Sequence, residues 1–181
     1  MGNNKKLVVY CHGYGSSANT DKLQILRDAG IDAYCFDADI DPDVAFRNIC
    51  ENVDMLLIDH LNDDLDLIFV GTSLGGWMAS KLAAVYLADA IIINPSYDPS
   101  TSLKKYGVPF QITQKYTKLQ VKPWFDFVFA ENDEVIDHSA CIEECKKVGA
   151  PITMVPNADH RFNTHFGMIV DKLKKDLTDV L

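Results

Sequence analysis

A glycine-serine pentapeptide between a strand-like run and a helix-like run constrains the fold of this chain most strongly. Gly71-Thr72-Ser73-Leu74-Gly75 follows the continuously apolar residues 67–70 and precedes a helical pattern over residues 76–83. In such a strand–turn–helix the chain turns so sharply that glycine is needed two residues before and two after the serine. The turn exposes the hydroxyl of Ser73, which the pattern predicts to be a nucleophile. The alternative is that Ser73 merely caps the helix that follows.

Short apolar runs alternate with helical patterns along the whole chain. The predicted strands are residues 7–11, 33–36, 67–70, 90–93, 125–130 and 152–155. The predicted helices lie near residues 22–29, 43–61, 76–87, 138–148 and 164–181. The strands are continuously apolar, as strands buried on both faces are. The alternation therefore predicts an α/β fold with a parallel sheet covered by helices on both faces.

The composition predicts a single globular domain over residues 1–181. Hydrophobic residues make up 48% of the chain and charged residues 24%, which suffices for a substantial core. The formal net charge of −9 argues against nucleic acid and anionic membranes as partners, because both usually require a basic face. Since no apolar run approaches the length of a membrane span, we expect no membrane partner.

The five cysteines are scattered along the chain, and no secretory signal is recognisable at its start. Reduced thiols and a cytoplasmic location are therefore expected. His138, Cys141 and Cys145 could share one face of a helix, but a fourth ligand in a standard spacing is missing. We expect neither a metal nor a cofactor.

One segment, residues 94–122, interrupts the alternation of strands and helices. It contains several prolines and aromatic residues without a clear period. Long connections in compact domains are usually functional. We therefore predict a cap-like insertion at about residues 95–122, and the candidate substrate-pocket residues in it are aromatic: Tyr97, Tyr106, Phe110 and Tyr116.

Candidate partners for Ser73 follow the last two predicted strands. A serine nucleophile needs a base and a group that orients the base. Asp133 follows residues 125–130, and His160 follows residues 152–155, where ligand sites of parallel sheets lie.

Each of these two candidates has a rival nearby. Asp137 could replace Asp133, but it suits the N-cap of the helix predicted at residues 138–148. Asp159 directly precedes His160, which makes their mutual geometry awkward. His165 could replace His160, but we expect it to lie in the last helix.

The end of the first strand carries a second glycine-containing loop, His12-Gly13-Tyr14-Gly15. Such a loop brings the backbone close to a substrate, so the amide of Tyr14 and the amide of Leu74 are predicted to form an oxyanion hole. We expect His12 to brace this loop, although it is also a candidate pocket residue.

Taken together, these motifs resemble those of α/β-hydrolases, in particular the small bacterial esterases of the YqiA/YcfP type. The motifs are YCHGYGSS, GTSLGG, ENDEVID and NADHRF, in that order. The resemblance implies a minimal α/β-hydrolase fold with a mostly parallel six-stranded sheet in the order 2-1-3-4-5-6. It also implies Ser73 as nucleophile, Asp133 as acid, His160 as base and no cofactor.

The function implied by the resemblance is hydrolysis of carboxylic esters through an acyl-enzyme. We expect a small-molecule ester with a small to medium acyl chain, and thioesters remain an open alternative. An acyltransferase with the same three residues and a non-catalytic binding protein are the competing hypotheses. The oligomeric state is not predicted.

Overall fold

The structure, a computed structural model, describes residues 5–61 and 63–175. In these residues six strands form one sheet in the order β2-β1-β3-β4-β5-β6, which confirms the predicted order. All neighbouring strands are parallel. The strands are β1 Lys5–Cys11, β2 Asp32–Cys35, β3 Leu65–Thr72, β4 Asp89–Ile93, β5 Asp126–Ala130 and β6 Ile152–Val155.

Helices follow the strands as the sequence predicts, with shifts at their ends. They are α1 Asp21–Asp28, α2 Pro42–Asp59, α3 Leu74–Tyr86, α4 Pro99–Ser102, α5 Phe110–Thr113, α6 Ser139–Val148 and α7 Gly167–Lys175. Helix α3 begins at Leu74, two residues earlier than predicted, because the glycines after Ser73 already belong to the helix. The last predicted helix starts at Gly167, and its part beyond residue 175 lies outside the described residues.

Two apolar layers hold these helices on the two faces of the sheet. On one face, α2, α3 and α6 cover Phe69, Ile92 and Phe127. On the other face, α1 and α7 cover Val8 and Val128. Because successive strand side chains point to opposite faces, every central strand contributes to both layers.

Residues 94–122 consist of short turns that are anchored in the core. They contain α4, a 3-10 turn at Leu103–Tyr106 and α5. Leu103 and Tyr116 are buried, and the Tyr116 hydroxyl donates to the carbonyl of Ile40 at 2.8 Å. Residues 94–122 show no helical period because each of these turns spans only four residues.

In residues 5–61 and 63–175, no helix is long and apolar enough to cross a membrane.

All five cysteines are free thiols. Cys11 is buried at the end of β1, and burial raises the pKa of its thiol, which suits a core residue better than a nucleophile.

Candidate active site

Ser73 occupies a strained turn between β3 and α3. Its backbone has φ 58° and ψ −121°, which non-glycine residues rarely adopt. A Cβ atom on Gly71 would lie 2.2 Å from the carbonyl oxygen of Gly75. A Cβ atom on Gly75 would lie 2.0 Å from the carbonyl oxygen of Cys11. The close approach of these backbones therefore explains both glycines of the pentapeptide.

The structure brings His160 and Asp133 to Ser73, although they come from the loops after β6 and β5. His160 Nε2 lies 3.1 Å from Ser73 Oγ, and His160 Nδ1 lies 2.7 Å from Asp133 Oδ2. The histidine and aspartate side chains are 12% and 3% exposed. A hydroxyl, an imidazole and a carboxylate in this order can move a proton from the hydroxyl to the ring.

The Asp133 carboxylate accepts four hydrogen bonds. Oδ1 accepts from the backbone amides of Val135 and Ile136 at 2.8 and 2.9 Å. Oδ2 accepts from His160 and also from His138 Nε2, each at 2.7 Å. Burial opposes ionisation of this carboxyl, but the four hydrogen bonds hold its pKa well below the ordinary value of 3.8. Asp133 is therefore a fixed negative charge beside His160.

His138 is the partner of Asp133 that the sequence did not reveal. It is 7% exposed, and its ring centroid lies 4.9 Å from that of Phe129. Because an ionised carboxylate only accepts, Nε2 of His138 carries the proton. Nδ1 is buried and has no hydrogen-bond partner among the described residues. The only sequence signal was its position five residues after Asp133.

A buried asparagine at the end of β4 positions the backbone of His160. Asn94 Nδ2 donates to the carbonyls of Asp159 and His160 at 3.1 and 3.0 Å. Asn94 Oδ1 accepts from the amide of Ala130 at 2.7 Å, at the end of β5. The side chain is fully buried, so these bonds form in a region without competing water. Sequence reasoning missed this residue as well.

The rival residues have other contacts. Asp137 accepts hydrogen bonds from the amide and the hydroxyl of Ser139 at 2.9 and 2.6 Å. It therefore supports the start of α6, although the N-cap itself is the next residue, His138. Asp159 accepts from a backbone amide of its own loop at 2.8 Å. His165 Nδ1 lies 3.0 Å from the neighbouring threonine hydroxyl. Within the described residues, none of the three rivals bonds to Ser73.

A cavity of about 520 Å³ opens in front of Ser73 and His160. Tyr14 and Leu74, the predicted oxyanion residues, also line it, as does Tyr106. Sequence reasoning did not identify the three cationic residues of the lining, which are Lys22, Lys105 and Arg161.

A second cavity, of about 250 Å³, lies along the same loop and shares residues 13–16 and Leu74 with the first. Trp77, Met78 and Tyr116 line it, and His12 also contacts it.

Two of the predicted pocket residues, Tyr97 and Phe110, line neither of these cavities. Phe110 is 63% exposed at the start of α5, because the short turns of this segment direct Leu103 and Tyr106 to the larger cavity instead. Sequence reasoning could not rank these aromatic residues without knowing where each turn begins.

His12 braces the loop that carries Tyr14. Its Nδ1 lies 3.0 Å from the carbonyl of Gly13, and its Nε2 accepts from the amide of Ala38 at 3.3 Å. The ring is 9% exposed. Both nitrogens therefore contact backbone, in agreement with the structural role expected for this residue.

No group of three His, Cys, Asp or Glu residues in the described part of the chain is arranged to hold a metal ion. His138 contributes its Nε2 to Asp133 rather than to the cysteines of α6.

Comparison with known proteins places the chain in a family. The model of the uncharacterised protein family UPF0227 matches residues 7–120. The chain belongs to this family. The matched part of this UPF0227 chain includes Tyr14 and Ser73 and ends before Asp133 and His160.

Solved structures similar to the UPF0227 chain are hydrolases and esterases. Est1E from Butyrivibrio proteoclasticus, solved with ferulic acid bound, has a TM-score of 0.74 and 14% identity, with 98% of this chain and 90% of that chain covered. An α/β serine hydrolase without lid from Xanthomonas campestris has a TM-score of 0.72 and 16% identity, with 98% and 83% covered. A Pyrococcus furiosus esterase has a TM-score of 0.73 and 15% identity, with 97% and 82% covered. These similarities confirm the α/β-hydrolase fold.

Proposed function

We propose that this protein is a serine hydrolase that cleaves carboxylic esters through an acyl-enzyme. The observation that carries the proposal is the position of His160, whose two ring nitrogens face Ser73 Oγ at 3.1 Å and Asp133 Oδ2 at 2.7 Å. The similarity in fold to esterases supports it independently.

The carboxylate determines which nitrogen of His160 acts as the base. Since ionised Asp133 only accepts, Nδ1 of His160 donates to it and Nε2 is left as an acceptor. Nε2 takes the proton of Ser73 as Oγ attacks the acyl carbon, and Asp133 stabilises the imidazolium that results. His160 then protonates the leaving alcohol, and water repeats the sequence on the acyl-enzyme.

The oxyanion of the tetrahedral intermediate would bind the amides of Tyr14 and Leu74. Both residues line the cavity in front of Ser73. Within the described residues, neither amide donates a hydrogen bond in the fold, so both are free to donate to a substrate. Removing one such donor typically lowers kcat by about 10²–10³-fold.

The substrate is a small molecule with a small to medium acyl chain, as either an ester or a thioester. A volume of 520 Å³ lies in the usual range of small-molecule sites, about 300–1,000 Å³. The turn at Leu103–Tyr106 limits the cavity on one side, and Leu103 and Tyr106 supply apolar surface for the acyl chain.

A fluorophosphonate probe, which labels activated serines, tests the proposal together with hydrolysis of p-nitrophenyl butyrate. We expect labelling and turnover in the unaltered protein, and the loss of both in Ser73→Ala with the fold retained. Ser139→Ala, an exposed serine beside Asp137, is the matched control and should behave like the unaltered protein. Near-normal turnover of Ser73→Ala would refute the assignment of the nucleophile.

A further inference from the structure

The lining of the larger cavity is cationic although the protein is acidic. The whole chain has 26 Asp and Glu residues against 17 Lys and Arg residues. The cavity is lined by Lys22, Lys105 and Arg161 but by one carboxylate, that of Asp21. The side chains that line the cavity therefore carry a net positive charge, the reverse of the net charge of the whole protein.

Lys22 is a buried ammonium group without an ion-pair partner in the described residues. It is 9% exposed, and its Nζ donates to Asn163 Oδ1 at 2.7 Å and lies 5.7 Å from the centre of the Phe166 ring. Burial lowers the pKa of Lys22, the charges of Asp159 and Asp21 act in the opposite direction, and that of Arg161 lowers it further. An anion beside Nζ would offset the cost of burying this charge.

Arg161 adds a second positive charge to the lining of the cavity. It directly follows His160, is exposed, and makes no ion pair among the described residues. Both side chains line the same cavity, and the charge of Arg161 lowers the pKa of Lys22, as expected when two cations repel each other. A carboxylate or phosphate between them would relieve the repulsion, and a guanidinium can bind either one through two parallel hydrogen bonds.

Lys105 lies on the part of the lining contributed by the turn Leu103–Tyr106. Its Nζ donates to the carbonyl of Val135 at 2.9 Å and lies 5.3 Å from the centre of the Tyr106 ring. It adds to the positive potential of the cavity, but Lys105 is exposed, whereas the charge of Lys22 is buried and Arg161 makes no ion pair among the described residues. Lys22 and Arg161 are therefore the better pair for an anion.

We propose that the ester hydrolysed at Ser73 carries a carboxylate or phosphate group that binds between Lys22 and Arg161. This inference rests on the proposed function. Because the cations and the nucleophile line one cavity, the anionic group and the scissile ester belong to the same molecule. The acidic surface of the protein repels an anionic substrate, whereas the cationic cavity attracts it. The substrate is therefore concentrated at the site.

The experiment compares matched p-nitrophenyl esters: the adipate monoester, its neutral methyl ester and a phosphonate analogue of the same length. We expect kcat/KM to be higher for the anionic esters than for the neutral one. The ratio of the two kcat/KM values, anionic over neutral, should fall when salt is added. In Lys22→Met and in Arg161→Gln the ratio should fall by about tenfold or more. The control Lys104→Met, an exposed lysine outside the cavity, should retain it. A preference for the phosphonate identifies phosphate as the recognised anion, and the reverse preference identifies a carboxylate.

Two results would overturn the inference. One is a ratio at or below one in the unaltered protein, and the other is an unchanged ratio in Arg161→Gln, whose exposed side chain is not needed for folding. Failure of the proposed function differs, because no ester would then be turned over. In that case calorimetric titration of adipate and phosphate into the Ser73→Ala protein decides the matter: binding that Arg161→Gln abolishes supports the anion site, and no binding refutes it.

Discussion

Replacing Asp133 with Asn tests the whole arrangement of hydrogen bonds around the proposed base. The exchange keeps the size of the side chain but removes its charge and turns one oxygen into a donor. If the amide oxygen keeps the bonds from Val135 and Ile136, the NH₂ group faces both His138 and His160. Asp137→Asn is the matched control, since Asp137 is exposed and, within residues 5–61 and 63–175, bonds only to Ser139.

The expected loss of activity follows from the tautomer of His160. Opposite an NH₂ donor, Nδ1 of His160 keeps its contact only as an acceptor, which moves the proton to Nε2. Nε2 then no longer accepts from Ser73 at 3.1 Å. We expect kcat to fall by about 10⁴-fold, the effect of the wrong tautomer in Ser-His-Asp enzymes.

The same exchange should lower the free energy of unfolding. A hydrogen bond to a charged group contributes about 1.5–3 kcal/mol, and a neutral one about 0.5–1.5 kcal/mol. In Asp133→Asn the two bonds from backbone amides are weakened and the two bonds to histidines are rearranged. We therefore expect the free energy of unfolding to be about 2–4 kcal/mol lower at neutral pH. Asp137→Asn should lose at most about 0.5 kcal/mol, because asparagine also supports helix starts.

The stability difference between the unaltered protein and Asp133→Asn should depend on pH. The folded-state pKa of Asp133 lies below 3.8, so the unfolded chain takes up the proton first as the pH falls. The stabilisation by the carboxylate is therefore complete above about pH 4 to 5 and is lost as the pH falls through 3.8 towards the folded-state pKa. The difference in unfolding free energy should be largest near neutral pH and should narrow below 3.8.

Steady-state hydrolysis of p-nitrophenyl butyrate and urea unfolding followed by circular dichroism measure these effects. If Asp137→Asn lost as much kcat as Asp133→Asn, Asp133 would not be the group that orients the base. A stability difference that widened towards low pH would show that the carboxylate is not held ionised in the folded protein.

The remaining predictions concern His138 and the cavity. His138→Phe removes one donor to Asp133 but keeps a ring beside Phe129, so urea unfolding should show a loss of about 1.5–3 kcal/mol, while kcat falls far less than in Asp133→Asn. A loss of kcat as large as that of Asp133→Asn would contradict this. Tyr106→Ala opens the larger cavity. Each methylene of the acyl chain that is buried there contributes up to about 0.8 kcal/mol, so this exchange should flatten the rise of kcat/KM with acyl length. Phe110→Ala should leave that rise unchanged, and an effect larger than that of Tyr106→Ala would refute the observed lining.

The strands and the backbone turn at Ser73 were predictable because they depend on local patterns, whereas the sheet order was implied by the resemblance to α/β-hydrolases. Continuous apolar runs mark strands buried on both faces, and all six predicted strands are present. The two glycines around Ser73 are required because a Cβ atom on either would lie only 2.2 or 2.0 Å from a backbone oxygen, and the pentapeptide therefore indicates this turn directly. Asp133 and His160 follow strands whose ends meet at one edge of the sheet, which is why they could be chosen before their distances were known.

The contacts that support the site were not predictable, because they join distant parts of the chain through side chains without a motif. Asn94 donates a hydrogen bond to the carbonyl of His160, 66 residues away in the sequence. Lys22 donates one to Asn163, 141 residues away. His138 was assigned to the start of a helix, a local role that is compatible with its bond to Asp133. Nothing in the order of residues shows that Lys22 and Arg161 line one cavity, since that follows from the packing of α1 against the loop after β6.

The strain at Ser73 shows how the fold supports the proposed chemistry. A non-glycine residue with φ 58° and ψ −121° costs about 1–3 kcal/mol, which the surroundings must offset. The Ser73 amide donates to Ile93 in β4 at 3.0 Å, and its carbonyl accepts from the amides of Ser96 and Gly76, each at 3.0 Å. All three bonds use backbone atoms, so the turn is held without the hydroxyl. The hydroxyl is thus left to His160, and removing it in Ser73→Ala should abolish turnover without releasing the turn.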